Sequence, residues 1–297
     1  MTVNQLKDSS AAVIRNSIPK DEAVFYENVA SDEVAQLASL TSINDIARVS
    51  SALSFAALAR ISRAKQHSIL PDPKGLWLAA TFECIAEYEA MKFVAPVRDK
   101  TVLQLGGKGS EAVKFMLAGA RAAHLVSPVE SEVRCAKELA RLCRVEIDCK
   151  LGLAEEIPFA DESFDVVYTA GCAHHFRTDQ AFPEIRRVLR HGGRFAAIEP
   201  WRAPFYSIGI RVFGKREEEV NCRPLTHERL GNLSDYFSFH EVLQHGSISR
   251  YPMIALGKLG LMMPLSLAWW IMKVDDAFCS LFHLRSYGSC AAILAEK

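Results

Sequence analysis

Thr101-Val-Leu-Gln-Leu-Gly-Gly-Lys-Gly-Ser110, with the run Glu111 to Ala120 behind it, decides how this chain is read. Val102, Leu103 and Leu105 make a short apolar run that ends in glycines, the pattern of a buried parallel strand. Gly106, Gly107 and Gly109 let the chain turn tightly and bring backbone N–H groups close to a ligand. Ser110 can cap the helix that follows, and Glu111 suits the positive end of its dipole. A strand, a glycine turn and a helix N-terminus predict a ligand cradle in an open α/β sheet. Tight βα turns also use glycine for structural reasons alone, so the rest of the chain must carry the reading.

Outward from this stretch, strand and helix signals alternate. Ala122 to Ser127 reads as a strand, Glu130 to Leu142 as a helix and Glu146 to Cys149 as a third strand. Phe164 to Ala170 is a fourth strand and Gln180 to Arg190 a helix. His191-Gly-Gly193 turns into a fifth strand, Arg194 to Glu199. His227 to Tyr236 reads as helix, Ser238 to His245 as strand, residues 249–287 as a helical insertion, and Ser289 to Ala295 as a terminal strand. This rhythm predicts an α/β fold with a mostly parallel, doubly wound sheet.

Residues 1–98 form a separate helical region, and 99–297 the α/β domain. In the helical region, Ile46, Val49, Leu53, Ala57 and Ile61 give Asp45 to Lys65 one apolar face, and a second helix spans Leu76 to Val94. This region can cap the site or form the face of a homo-oligomer, and its pattern does not separate the two.

Composition narrows the function. The chain has 297 residues, with 35 basic and 35 acidic, so no global field points to nucleic acid. The charge run Lys215 to Glu219 reads as a solvated loop or helix end. Met1 to Ser10 is polar and lacks an apolar signal core, so a cytoplasmic location is expected. The 8 cysteines include no CxxC pair. Buried free thiols are therefore expected, with no metal site and no disulfide framework. Leu259 to Met272 carries no charge, but it is shorter than the roughly 20 residues of a spanning helix and contains Pro264. It reads first as a buried cap over an apolar pocket. The second reading is a membrane-surface patch using Trp269 and Trp270.

Four stretches carry a resemblance. They are the Gly106 turn, Gly152-Leu-Ala-Glu-Glu-Ile-Pro-Phe-Ala-Asp-Glu-Ser-Phe-Asp-Val-Val167, the pair His174-His175, and Glu184-Ile-Arg-Arg-Val-Leu-Arg-His-Gly-Gly-Arg194. Over residues 101–200 the chain resembles the class I S-adenosylmethionine (SAM)-dependent methyltransferases, especially the small-molecule group related to ubiquinone and sterol methyltransferases. The resemblance implies a Rossmann-like, seven-stranded sheet with helices on both faces. It implies SAM as cofactor, held near Gln104, Gly106, Gly107, Lys108, Ser127, Leu153, Ala154, Glu155 and Thr169. The helical insertion resembles the substrate cap of such enzymes.

The chain departs from the family pattern at several of these positions. The family has an acid where this chain has Gln104, a glycine at Lys108 and another at Ser110. The acid that holds both ribose hydroxyls aligns with Leu125, with Glu130 a little further on, and the acid at the adenine amino group aligns with Leu153. A hydrogen bond to a charged group is worth about 1.5–3 kcal/mol. Losing both acids would weaken SAM binding by on the order of 3–5 kcal/mol, two to three decades or more. Lys108 could meet a ligand carboxylate or phosphate; a solvated side chain is the favoured expectation.

Thr169 to His175 follows the fourth strand at the carboxyl edge, where open sheets bind ligands. His174 or His175 is the candidate catalytic residue, as a general base or as an orienting group for an O–H or N–H acceptor. Otherwise one packs and the other is solvated. Cys172 could be nucleophilic only with a lowered pKa. Trp201 could stack on a planar substrate or simply pack.

Two functions follow. The first is methyl transfer from SAM to a small, fairly apolar acceptor. The alternative is a methyltransferase-like protein that has lost this chemistry. It would use the pocket for an isomerisation, cyclisation or elimination, or as a binding pseudoenzyme.

Overall fold

A computed structural model of the chain describes residues 20–42, 83–204, 224–231, 233–258 and 263–297. The expected helix Asp45–Lys65, the start of the helix from Leu76, the charge run 215–219 and residues 259–262 lie outside the described residues.

The sheet has seven strands in the order β3-β2-β1-β4-β5-β7-β6. They are β1 (Thr101–Leu105), β2 (Ala122–Ser127), β3 (Asp148–Leu151), β4 (Phe164–Ala170), β5 (Leu189–Pro200), β6 (Phe239–His245) and β7 (Cys290–Glu296). Strands β1 to β5 pair in parallel, and β7 runs antiparallel between β5 and β6. The third strand lies two residues beyond its expected position, because its register with β2 begins at His124 opposite Asp148. Of the helix expected over 227–236, Leu233–Tyr236 is the α-helical part among the described residues.

Strand alternation builds two apolar layers. Leu103, Leu105, Val167 and Phe195 face one layer, which takes Phe182 and Ile185 from the helix Thr178–Val188. Val102, Val166, Tyr168 and Ala196 face the other, with Met91 and Val94 from Cys84–Val94 and Phe115 from Ser110–Leu117. A sheet covered on both faces needs strands that are apolar throughout, and all five residues of β1 are buried.

In chain order the principal helices are α1 (Lys20–Ala38), α2 (Cys84–Val94), α3 (Ser110–Leu117), α4 (Glu130–Cys143), α5 (Thr178–Val188), α6 (Leu233–Tyr236), α7 (Arg250–Lys258) and α8 (Leu265–Leu281). Helix α1 packs on α4, where Leu37 is buried with Val113, Cys135 and Leu139. Its position is tied by polar contacts as well. Glu27 accepts the Ser131 backbone N–H at 3.1 Å, and Arg141 donates to the carbonyls of Leu37 and Leu40 at 3.3 and 3.1 Å.

Helix α8 begins after Pro264 and buries Ala268 and Met272 against Cys84, Ile85 and Met253. The described part of the 259–272 segment therefore packs on α2 and lines no part of the principal cavity. The opposite side of α8 exposes Leu267, Trp270, Val274, Phe278 and Leu281. Trp269 packs edge-on against Tyr88 at 4.8 Å, so of the two tryptophans only Trp270 faces outward. No described helix is long and apolar enough to cross a membrane.

Candidate functional site

The turns that follow β1, β2, β3 and β4 surround a cavity at the carboxyl edge of the sheet. Gly106 and Gly107 form one wall, at φ +71° and +76°. A side chain at Gly106 would place its Cβ 2.7 Å from Cys172 Sγ, so the close approach of the β1 and β4 turns requires glycine here. Leu153 and Ala154 form a second, apolar wall with Val126 and Gly152. Two carboxylates, Glu132 and Glu155, face the same space. His175, Phe176 and Arg177 close it from the β4 side, and Tyr26 of α1 closes it from above.

Several residues expected at the cofactor hold this frame from outside the lining. Gln104 is buried; its amide donates to the Gly106 carbonyl at 2.9 Å and accepts the Ala112 N–H at 2.8 Å, tethering the turn to α3. Thr169 donates to the Leu105 carbonyl at 2.8 Å and locks β4 to β1. Ser127 donates to Glu132 at 2.6 Å. Lys108 lies outside the lining, partly exposed, and forms an ion pair with Glu33 of α1. That contact joins the glycine turn to a helix the turn's sequence does not foreshadow.

The two histidines separate. His174 is buried, with Nδ1 2.8 Å from Glu199 Oε2. Glu199 also accepts the backbone N–H groups of Cys172, Ala173 and His174 at 3.0, 2.7 and 3.2 Å. One buried carboxylate from β5 thus organises the whole β4 turn. His175 faces the cavity, and its Nε2 lies 3.2 Å from the Tyr26 hydroxyl. Burial, with His174 and Arg229 nearby, lowers the His175 pKa to about 3, so the ring is neutral at physiological pH. The Cys172 thiol is pushed well above its ordinary value by burial and by Glu132 and Glu199, so it stays protonated and weakly nucleophilic. Trp201 is buried, edge-on to His227 at 4.8 Å, and serves packing.

Sequence reading placed Gly106, Gly107, Leu153, Ala154, Glu155 and His175 around one cavity, and they are brought together there. It missed Tyr26 and Glu132. Glu132 stands in the first turn of α4, a signal shared with Glu130; Glu130 proves exposed while Glu132 is buried. Among the described residues no group of three His, Cys, Asp or Glu side chains is placed to hold a metal ion.

The lining suits an adenosyl cofactor. It combines glycine-turn backbone, an apolar slot at Leu153 and Ala154, and carboxylates able to accept from hydroxyls. Pairing with Glu33 neutralises Lys108, so the turn does not present a bare cation to a sulfonium.

Parallel strands in the order 3-2-1-4-5, an antiparallel β7 beside β5 and a cavity behind the first glycine turn define the class I methyltransferase fold. Residues 103–197 match the methyltransferase domain family. The ubiquinone/menaquinone biosynthesis C-methyltransferase UbiE of Rubrivivax gelatinosus is 30% identical over 124 residues, 40% of this chain and 48% of that protein. The human mitochondrial 2-methoxy-6-polyprenyl-1,4-benzoquinol methylase is 44% identical over 64 residues, 21% of this chain and 20% of that protein. The chain thus spans half or less of the length of these curated relatives. Among solved structures, geranyl diphosphate C-methyltransferase from Streptomyces coelicolor aligns with a TM-score of 0.50 at 16% identity, over 71% of this chain and 77% of that one. The cyclase SpnF aligns with a TM-score of 0.51 at 20% identity, over 82% and 93%. Both show the fold.

Proposed function

We propose that this protein transfers the methyl group of SAM to a small, fairly apolar acceptor. The observation that carries the reading is the cavity in which the glycine turn, the Leu153–Ala154 slot and the carboxylates Glu132 and Glu155 converge. When bound, the cofactor supplies an electrophilic methyl group. The chain's own part is to position the acceptor and exclude water. Gly106 and Gly107 offer backbone to the methionine half, and Leu153 and Ala154 offer apolar surface to the purine. A base whose conjugate acid has a pKa of about 3 is a poor proton sink, so His175 with Tyr26 orients the acceptor rather than deprotonating it. Acceptors of the kind named for one relative, a polyprenyl benzoquinol, suit the apolar lining.

The N-terminal region acts as a cap on this reading, because α1 contributes Tyr26 to the cavity and Glu33 to Lys108. A second reading, cyclisation or isomerisation in the same pocket, is favoured by leucine at positions 125 and 153, where the family carries acids. The fold does not choose between them, since function resides in the site. Incubation with methyl-labelled SAM and a panel of prenylated phenols and quinols tests the first reading. Label appearing in the organic extract supports it; cofactor binding without transfer to any apolar acceptor favours the second.

Contact with a membrane surface is the further expectation for α8. Leu267, Trp270, Val274, Phe278 and Leu281 recur at three- and four-residue spacing on its exposed side, an apolar stripe with an aromatic of the interfacial kind.

A further inference from the structure

We propose that Glu132 replaces the missing strand-end acid and holds the vicinal ribose hydroxyls of the adenosyl group. This rests on the SAM reading above and deepens it to one binding residue.

Leu125, with which the sequence resemblance aligns the family acid, cannot be reached from the cavity, and β2 itself ends two residues later at Ser127. Leu125 is fully buried, pairs in register with Gln104, and lies under Gly109, where an added Cβ would sit 3.6 Å from its Cδ2. Glu132 projects from α4 into the cavity instead. Only 8% of the residue is exposed, so the carboxylate is committed to that space and to its partners.

Those partners fix its aim. The Ser127 hydroxyl accepts the Val129 backbone N–H at 3.1 Å, which leaves its own proton for Glu132 Oε2 at 2.6 Å. The Gly107 backbone N–H also favours the charged form, and so does Lys108 across the turn. A carboxylate in the first turn of a helix is further favoured by the dipole. Burial opposes all of these and raises the Glu132 pKa, leaving a desolvated acceptor that two ligand hydroxyls would satisfy.

Position matches chemistry. Glu132 shares the cavity with the glycine turn on the methionine side and with the Leu153–Ala154 slot on the purine side. In an adenosyl sulfonium, the ribose diol joins those two halves. Glutamate, on a helix rather than at a strand end, supplies the extra reach.

The test compares S-adenosylhomocysteine (SAH) with its 2′-deoxy analogue by calorimetric titration, on wild type and Glu132→Gln. Wild type is expected to bind the deoxy analogue on the order of tenfold or more weakly. Glu132→Gln should lose a similar factor toward SAH and show no further loss toward the analogue. Equal discrimination by both proteins would overturn the proposal and leave Glu132 as a brace for the glycine turn. Should Glu132→Gln fail to fold, Glu132→Asp keeps the charge and withdraws it by one methylene; it must show a reduced diol preference, and an unchanged one overturns the proposal. If wild type binds neither ligand, the SAM reading itself fails, a result distinct from binding without diol discrimination.

Discussion

Neutral His175 gives the residue scale its sharpest consequence. Its folded pKa, about 3, lies below the ordinary histidine value of 6.5, so the folded state resists protonation. Stability from this group is present above pH 6.5 and is lost as pH falls from there toward 3. Lowering the pH from 7 to 5 should cost wild type about 2 kcal/mol more than His175→Asn, at 1.36 kcal/mol per unit below the unfolded pKa. Denaturant midpoints at the two pH values measure this, and parallel losses in the two proteins would contradict it. Glycine shows a different kind of residue effect. At Gly109, φ is +78° and an added Cβ would lie 2.3 Å from the Ala136 Cβ and 3.0 Å from its Cα, where α4 crosses the turn. Gly109→Ala should cost about 2–5 kcal/mol through left-handed backbone strain and overpacking. A change in the denaturation midpoint equivalent to less than about 1 kcal/mol would show that the helices can separate.

Between elements, the contacts that matter join α1 to the glycine turn and to α4. The Lys108–Glu33 pair is half-buried, and Glu27 meets the N-terminus of α4. Glu33→Gln should therefore loosen α1 by about 1 kcal/mol while the sheet stays intact. Hydrogen exchange is expected to rise several-fold in residues 20–38 and to remain unchanged in β1 and β4. A uniform rise would mean that α1 is part of the global folding unit rather than a separable cap. This element also marks where sequence reading stopped. The strands β1, β2 and β4 were legible to the residue or nearly so, because continuous apolar runs between glycine turns leave little freedom of register. Glu33 carries no such signal. Its partner is 75 positions away, and nothing near either residue announces the pair. Glu132 was missed for a local reason: whether an acid in a helix's first turn faces solvent or cavity depends on where that helix begins. The start of α4 at Glu130 turns Glu130 outward.

At the scale of the whole molecule, the sheet separates two surfaces. The carboxyl edge carries the cavity, while α8 lies on α2 with its apolar stripe exposed. If that stripe meets lipid, the chain should co-sediment with zwitterionic vesicles, and Trp270→Glu with Leu281→Glu should reduce the bound fraction several-fold without altering the melting temperature. Binding that is unchanged by both substitutions would exclude α8 as the contact. Under the proposed function, that placement would let apolar acceptors pass from a lipid phase to the pocket. The measurement that bears most directly on that account is a calorimetric titration of the purified chain with SAM and SAH. The lining of Gly106, Gly107, Leu153, Ala154 and Glu132 predicts micromolar dissociation constants, with stabilisation of about 2.7 kcal/mol at a hundredfold excess over Kd. The absence of both heat and thermal shift up to millimolar ligand would contradict methyl transfer from SAM and turn attention to whatever molecule co-purifies in the cavity.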